Sequence, residues 1–244
     1  MTALSTERVA TDHGRDVLVA HIDDGKANAL SLALLADLHG LVDMVERDDT
    51  LGALVLHGRP GMFSAGFDLS VVNGGDVDAG ARLLGAGADL FRRLYGAPVP
   101  VVAACTGHAV AGGAFMLLSS DFRVGADVAC KIGLNEVAIG FVLPAWAITL
   151  SEERLSVGRR QRAVMLAELT GPAEAVAAGF LDIVVPAEEV LPLAVSRAAE
   201  YAAFTRAAYA GNVVAARGRV LELLAEQLRR DRDRGEGVAD YLAR

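Results

Sequence analysis

The chain has 244 residues, 53% of them hydrophobic, and a formal net charge of −8. That acidic balance excludes a surface built for nucleic acid, whose phosphates are held by basic patches. No apolar run approaches the ~20 residues that span a bilayer, and Met1 to Thr11 is polar without an apolar signal core. A soluble, cytoplasmic protein is therefore expected, with neither nucleic acid nor membrane as partner.

The length suits one large core, or a core with a helical appendage. The high apolar content also suits buried subunit interfaces. Cys105 and Cys130 lie in apolar, strand-like settings, so free buried thiols are expected rather than a disulfide. Neither belongs to a C-x-x-C pair, and His13, His21, His39 and His57 have no metal-ligand spacing, so no metal site is expected.

In chain order, Val17 to Ile22 reads as a strand, followed by a turn at Asp23-Asp24-Gly25. Lys26 to Ser31 is a loop ending in a helix cap. From Ser31 to about Glu46, Leu32, Leu35, Leu38, Leu41, Val42 and Val45 recur with helical spacing. Asp48-Asp49-Thr50 breaks that helix, and Leu51 to Leu56 is a second strand. His57 to Leu69 is a glycine-rich loop, and Asn73 to Asp78 is a polar, mobile connection. Ala79 to Tyr95 is helical, and Pro98 to Cys105 is a third strand. Short strands are expected at Phe122 to Gly125 and Ala129 to Ile132, separated by a loop, Gly133 to Phe141, from a helix opening at Pro144-Ala-Trp146. Further helices cover Gly158 to Leu169 and Pro172 to Ala178, with a strand at Leu181 to Val185. From Glu188 onward the chain is almost wholly helical and ends in a charged run, Arg229 to Glu236. Strands alternating with helices indicate an α/β core, here residues 1–186, followed by an all-helical region, 187–244.

Two stretches carry chemistry. The apolar run Val99 to Cys105, a buried strand, leads into Gly107 to Asp121, where Gly112-Gly113 sit about where the strand turns into an apolar helix. The first N–H groups of a helix have no internal partner, and glycines let another molecule's oxygen come close; tight packing alone is the other reading. In Phe63-Ser-Ala-Gly-Phe-Asp-Leu69, Ser64 lacks the Gly-x-Ser-x-Gly elbow of a nucleophile. Glu136 sits among Ile132, Leu134, Val137, Ile139 and Phe141. It is either a surface carboxylate or a buried one whose pKa rises toward neutrality, as suits a group that takes and returns a proton.

Four motifs in order, Asn28-Ala-Leu-Ser31, Phe63 to Leu69, Ala111-Gly-Gly113 ending at Asp121-Phe-Arg, and Gly171-Pro-Ala-Glu-Ala-Val-Ala-Ala-Gly-Phe-Leu-Asp182, resemble the crotonase (enoyl-CoA hydratase/isomerase) superfamily. Ile132-Gly-Leu-Asn-Glu136, Pro144-Ala-Trp146 and the Gly158-Arg-Arg helix resemble its mitochondrial-type delta-3, delta-2-enoyl-CoA isomerases more than its hydratases. The resemblance implies a spiral of strand–strand–helix repeats, with C-terminal helices that build homotrimers, often paired into hexamers. It implies an acyl-CoA substrate, with coenzyme A part of that substrate and no separate cofactor. It places an oxyanion hole on the N–H groups of Phe67 and Gly112 and the acid/base on Glu136. It places the CoA path at Lys26, Ala27, Ser64, Ala65, Gly66, Asp68 and Leu69, and an apolar acyl pocket at Phe67, Phe115, Leu143 and Trp146. Lys26 is either a phosphate contact or a solvated lysine, Asp68 orders its own loop, and His108 is structural. Hydratases of the family carry a second glutamate where this chain has Phe115, so isomerisation is expected over water addition. A hydratase, or another crotonase reaction, and a non-catalytic acyl-CoA binding protein are the alternatives.

Overall fold

The computed structural model describes residues 3–12 and 14–233; His13, the end of the charged run (234–236) and the expected helical continuation to 244 lie outside them. Six strands form the larger sheet: β1 (Leu4–Val9), β2 (Asp16–Ile22), β3 (Leu51–Gly58), β5 (Val101–Cys105), β7 (Phe122–Ala126) and β9 (Ile183–Val185), neighbours in that order. A smaller sheet holds β4 (Gly61–Ser64), β6 (Gly107–Val110) and β8 (Ile132–Gly133). All pairings are parallel except β1 with β2.

After an opening strand–strand–helix turn with both strands, β1 and β2, in the larger sheet, the chain visits the larger sheet, then the smaller one, then one or more helices, and repeats. After β2 comes α1 (Leu32–Arg47). After β3 and β4 come α2 (Leu69–Val72) and α3 (Val77–Tyr95). After β5 and β6 comes α4 (Gly112–Leu118). After β7 and β8 come α5 (Ala145–Arg154), α6 (Val157–Leu166) and α7 (Pro172–Ala178). Each turn is a strand–strand–helix unit. After β9, α8 (Val190–Ala202) and α9 (Arg206–Asp233) complete the described chain.

Strand residues alternate between two cores, as a period of two requires. Leu18, Ala20, Ile22, Leu54, Leu56, Val101, Ala103 and Cys105 face α1, α3 and α4. Val17, Val19, Ala53, Val55, Val102, Ala104 and Val124 face the other way, onto the Val190, Ala194, Ala198, Ala202 stripe of α8. The small α8 stripe brings that helix very close: a Cβ on Gly52 would lie 2.7 Å from the Ala202 Cβ. The last helix, α9, packs on α3 and α5 and buries Leu224 and Leu228.

Several expectations shift. β1 is absent from the sequence reading because Ser5 to Arg8 is polar; it is an exposed edge strand, and charge on an edge discourages pairing with other chains. The glycine-rich stretch after β3 contains β4, too short for a hydrophobic pattern to register. The strand expected at 129–132 is Ile132–Gly133, leaving Cys130 in irregular backbone and only partly buried, though free as expected. α3 begins two residues early, capped by the Asp76 carboxylate on the Ala79 N–H (2.9 Å). α6 stops at Leu166, short of the expected Leu169, because Ala167 turns left-handed (φ 50°, ψ 36°).

Candidate active site

The site is built on two loops that touch. Asn28 anchors the first. It is fully buried with φ 48°, a conformation asparagine tolerates better than most residues. Its Nδ2 donates to the carbonyls of Ile22 (2.7 Å), Met62 (3.2 Å) and Phe63 (3.2 Å), and its own carbonyl accepts the Ser64 hydroxyl (2.8 Å). This sets residues 27–30 beside 65–68. The Ala65 N–H donates to Ala27 (2.9 Å), the Leu30 N–H to Gly66 (2.8 Å), and the Asp68 N–H to Leu30 (3.2 Å). In that parallel pattern the Phe67 N–H faces away from Leu30.

The second loop joins β6 to α4. Ala111 has φ 53° and ψ −120°, a conformation that costs an alanine about 1–3 kcal/mol. The bond from its N–H to Gly133 (3.0 Å) helps to hold it there. Gly112 then opens α4. The loops pack so closely that a Cβ on Gly113 would stand 2.2 Å from the Ser64 carbonyl oxygen, and one on Gly66 2.9 Å from the Gly112 nitrogen. A Cβ on Gly112 would be 3.5 Å from the Phe67 nitrogen. Among the described residues neither the Phe67 nor the Gly112 N–H has an acceptor within the protein. Two backbone donors without an acceptor thus lie at the contact of the two loops.

Beside them opens a cavity of about 100 Å³. Its polar wall is Asn135 and Glu136, just before a 3-10 turn, Val137–Ile139. Glu136 is only 8% exposed, and its Oε2 is buried without a partner. Loss of water pushes its carboxyl up to about 7, opposed only by the backbone N–H groups of Glu136 and Asn135. The Asn135 Oδ1 is also buried and unpartnered. The remaining walls are apolar. Phe115 packs edge-on to Trp146 (centroids 5.1 Å apart) and against Phe91 (5.8 Å), and Phe91 meets Phe67 (6.1 Å). The Phe67 ring fits only because α3 has Gly87, where a Cβ would lie 2.2 Å from it.

The sequence profile of the enoyl-CoA hydratase/isomerase family matches residues 12–234. The chain belongs to that family. Human mitochondrial enoyl-CoA delta isomerase 1 is 35% identical over 197 residues, 80% of this crotonase chain and 65% of its own length. The chain thus spans slightly under two thirds of that relative. A Mycobacterium tuberculosis enoyl-CoA isomerase structure superposes with a TM-score of 0.86 at 37% identity, covering 93% of this chain and 96% of that one. A Mycobacterium ulcerans structure named enoyl-CoA hydratase gives 0.88 at 35% identity, covering 96% and 100%. Relatives of equal likeness thus carry both names.

In this crotonase, Ala65, Phe67, Leu69, Phe115, Glu136, Leu143 and Trp146 line the cavity. Gly66 and Gly112 stand behind that lining, at the contact of the loops. Ser64 is buried, its hydroxyl bonded to Asn28 and to the Gly66 N–H (3.2 Å). Asp68 caps α2 through the Ser70 N–H (2.9 Å). Ala27 runs beside Ala65. Lys26 is exposed, and its carbonyl accepts Arg59 Nη1 (2.5 Å). His108 Nδ1 accepts the Lys131 N–H (3.1 Å). Among the described residues no three His, Cys, Asp or Glu side chains cluster as metal ligands, and no helix is long and apolar enough to cross a membrane. Sequence reasoning missed Asn28's anchoring role, the Ala111 backbone, Asn135, Phe91 and Leu84. Asn28 and Asn135 each lie in a motif, which was the readable signal; Phe91 and Leu84 depend on packing between distant elements.

Proposed function

We propose that this crotonase is an enoyl-CoA isomerase that moves a double bond from position 3 to position 2 of an acyl-CoA thioester. The thioester oxygen lies between the N–H groups of Phe67 and Gly112. Glu136 takes a proton from carbon 2, the negative charge that develops moves to the oxygen, and the two donors stabilise it; losing one such donor elsewhere costs on the order of 3–4 kcal/mol. The same carboxyl then returns the proton to carbon 4. A base with a pKa of about 7 is matched to that round trip near neutral pH. Lys26 meets a phosphate, backbone around Ala27 and Ser64 to Leu69 lines the coenzyme path, and no separate cofactor takes part. Assembly as a homotrimer or hexamer belongs to the same reading, and the exposed Val157, Met165 and Leu166 of α6 support a face that another subunit covers.

The observation that carries the proposal is a single buried carboxylate in a mostly apolar cavity whose one other polar side chain is Asn135, with Phe115 where a second carboxylate would be needed to hold water. The hydratase-named relatives favour the alternative, hydration of a 2-enoyl-CoA. Incubating the purified protein with a 3-enoyl-CoA and, separately, a 2-enoyl-CoA decides between them. Formation of 2-enoyl-CoA from the first, with little 3-hydroxyacyl-CoA from the second, is expected. No conversion of the 3-enoyl-CoA would sink the isomerase reading.

A further inference from the structure

Next to the catalytic cavity lies a second, larger one of about 410 Å³, between α1, α3, the start of α5 and the end of α9. Leu84, Pro144 and Trp146 line both cavities. They therefore form the wall between them. On the catalytic side, about 100 Å³ is little room: an apolar cavity of about 150 Å³ holds one benzene, so roughly four carbons fit beyond the reacting carbonyl. On the far side the floor is small and apolar, with Gly85, Ala88 and Leu228, and the rim is charged, with Arg82, Asp89 and Arg232. An apolar floor under a charged mouth suits the far end of a hydrocarbon chain.

The wall has one fixed part and one that can yield. Trp146 is 5% exposed and is held by the Phe115 and Phe91 rings (5.1 and 5.7 Å). Leu84 is a half-buried aliphatic side chain on α3, one residue from Gly85. A Cβ on Gly85 would meet nothing within 4 Å, so a side chain there would grow into open space at the second cavity.

We propose that Leu84, which shares the wall with Trp146, is a partition that limits the acyl chain to the catalytic cavity, and that the second cavity is a latent extension of the acyl site. The inference rests on the acyl-CoA reading of the site but not on the isomerisation itself. As built, the protein selects short acyl groups, and removing the Leu84 side chain joins the cavities and admits longer ones.

Calorimetric titration with saturated acyl-CoAs, from butanoyl- to dodecanoyl-CoA, tests this, because saturated chains report room without turnover. Wild-type affinity should rise to about pentanoyl-CoA and then level off. Leu84→Ala should keep gaining through decanoyl-CoA, by up to about fourfold per methylene buried. Leu84→Ala with Gly85→Leu, which refills the second cavity, should level off again. Wild-type affinity that climbs steadily to dodecanoyl-CoA, or a Leu84→Ala ladder identical to wild type, would overturn the partition. Turnover of a 3-enoyl-CoA is followed on the same proteins. A ladder that behaves as expected without turnover upholds the partition and removes the isomerase reading. Turnover with a wild-type-like ladder in Leu84→Ala removes the partition alone.

Discussion

Two carboxylates lie beyond the C-terminal end of α4, and their surroundings are opposite. Asp121 is satisfied on every side: it accepts from Arg217 Nη2 (2.6 Å), the Tyr209 hydroxyl (2.8 Å) and the Val101 N–H (2.8 Å). Burial and the charge of Asp121 together push the Tyr209 hydroxyl well above the usual tyrosine range. Glu136 has lost water and gained little: one oxygen has no partner and the nearby cavity walls are mostly apolar. Buried polar groups are normally paired. The paired acid ties α9 to the core, and the unpaired one, on the reading proposed above, exchanges a proton. The two acids differ above all in the number of donors they meet.

The strongest way to break this contrast is Glu136→Gln. It should lower the rate of 3-enoyl-CoA isomerisation by about 10²–10⁴-fold, the usual worth of a general base, while the circular dichroism spectrum stays native. Asp121→Ala should do the reverse, leaving Arg217 and Tyr209 without their shared partner. A loss of about 3 kcal/mol is expected, read as a drop of roughly 6–12 °C in Tm, with the rate per folded molecule unchanged.

The pH dependence sharpens the contrast further. Unfolded, Glu136 titrates near 4.5; folded, it titrates near 7. Between those values the native state keeps a proton that the unfolded chain releases, so rising pH removes stability, and above about 7 the full penalty, on the order of 3 kcal/mol, is in place. Glu136→Gln removes that penalty. Its Tm should match wild type near pH 4.5 and exceed it increasingly up to pH 8, as scanning calorimetry would show. The wild-type rate should climb through about pH 7 and level off above it, since the base must be ionised. A smaller effect is expected from Gly87→Ala. Its methyl would displace the Phe67 ring, so kcat/KM should fall by roughly threefold to tenfold with little change in Tm, which steady-state kinetics would register.

The two loops, the buried glutamate and much of the cavity lining were legible in the sequence. Gly66, Gly112 and Glu136 lie in short motifs, because backbone donors and a positioned carboxylate need particular residues at particular places. The α/β core was readable too, since β2, β3 and β5 are mostly apolar and alternate with stretches of helical spacing. Phe91 and Leu84 were not, because on α3 they look like any helical core residues; only the fold brings Phe91 against Trp146 and Phe115 and sets Leu84 in the lining of their cavity. Nor did anything in Val-Ala-Gly-Gly announce that Ala111 would adopt a glycine-like backbone. β1 escaped because an edge strand can be polar throughout.

Asn28 has a consequence for the order of assembly. Its side chain reaches the end of β2 and the end of β4 at once, segments more than thirty residues apart in sequence. Contacts that span so much chain form only after the intervening loop has closed. The pairing of residues 27–30 with 65–68 therefore waits for β2, β3 and β4 to dock, and with it the aim of the Phe67 N–H. A partly folded chain holds no weaker edition of the donor pair, so activity and the protection of the Gly66 amide from hydrogen exchange should return together on refolding.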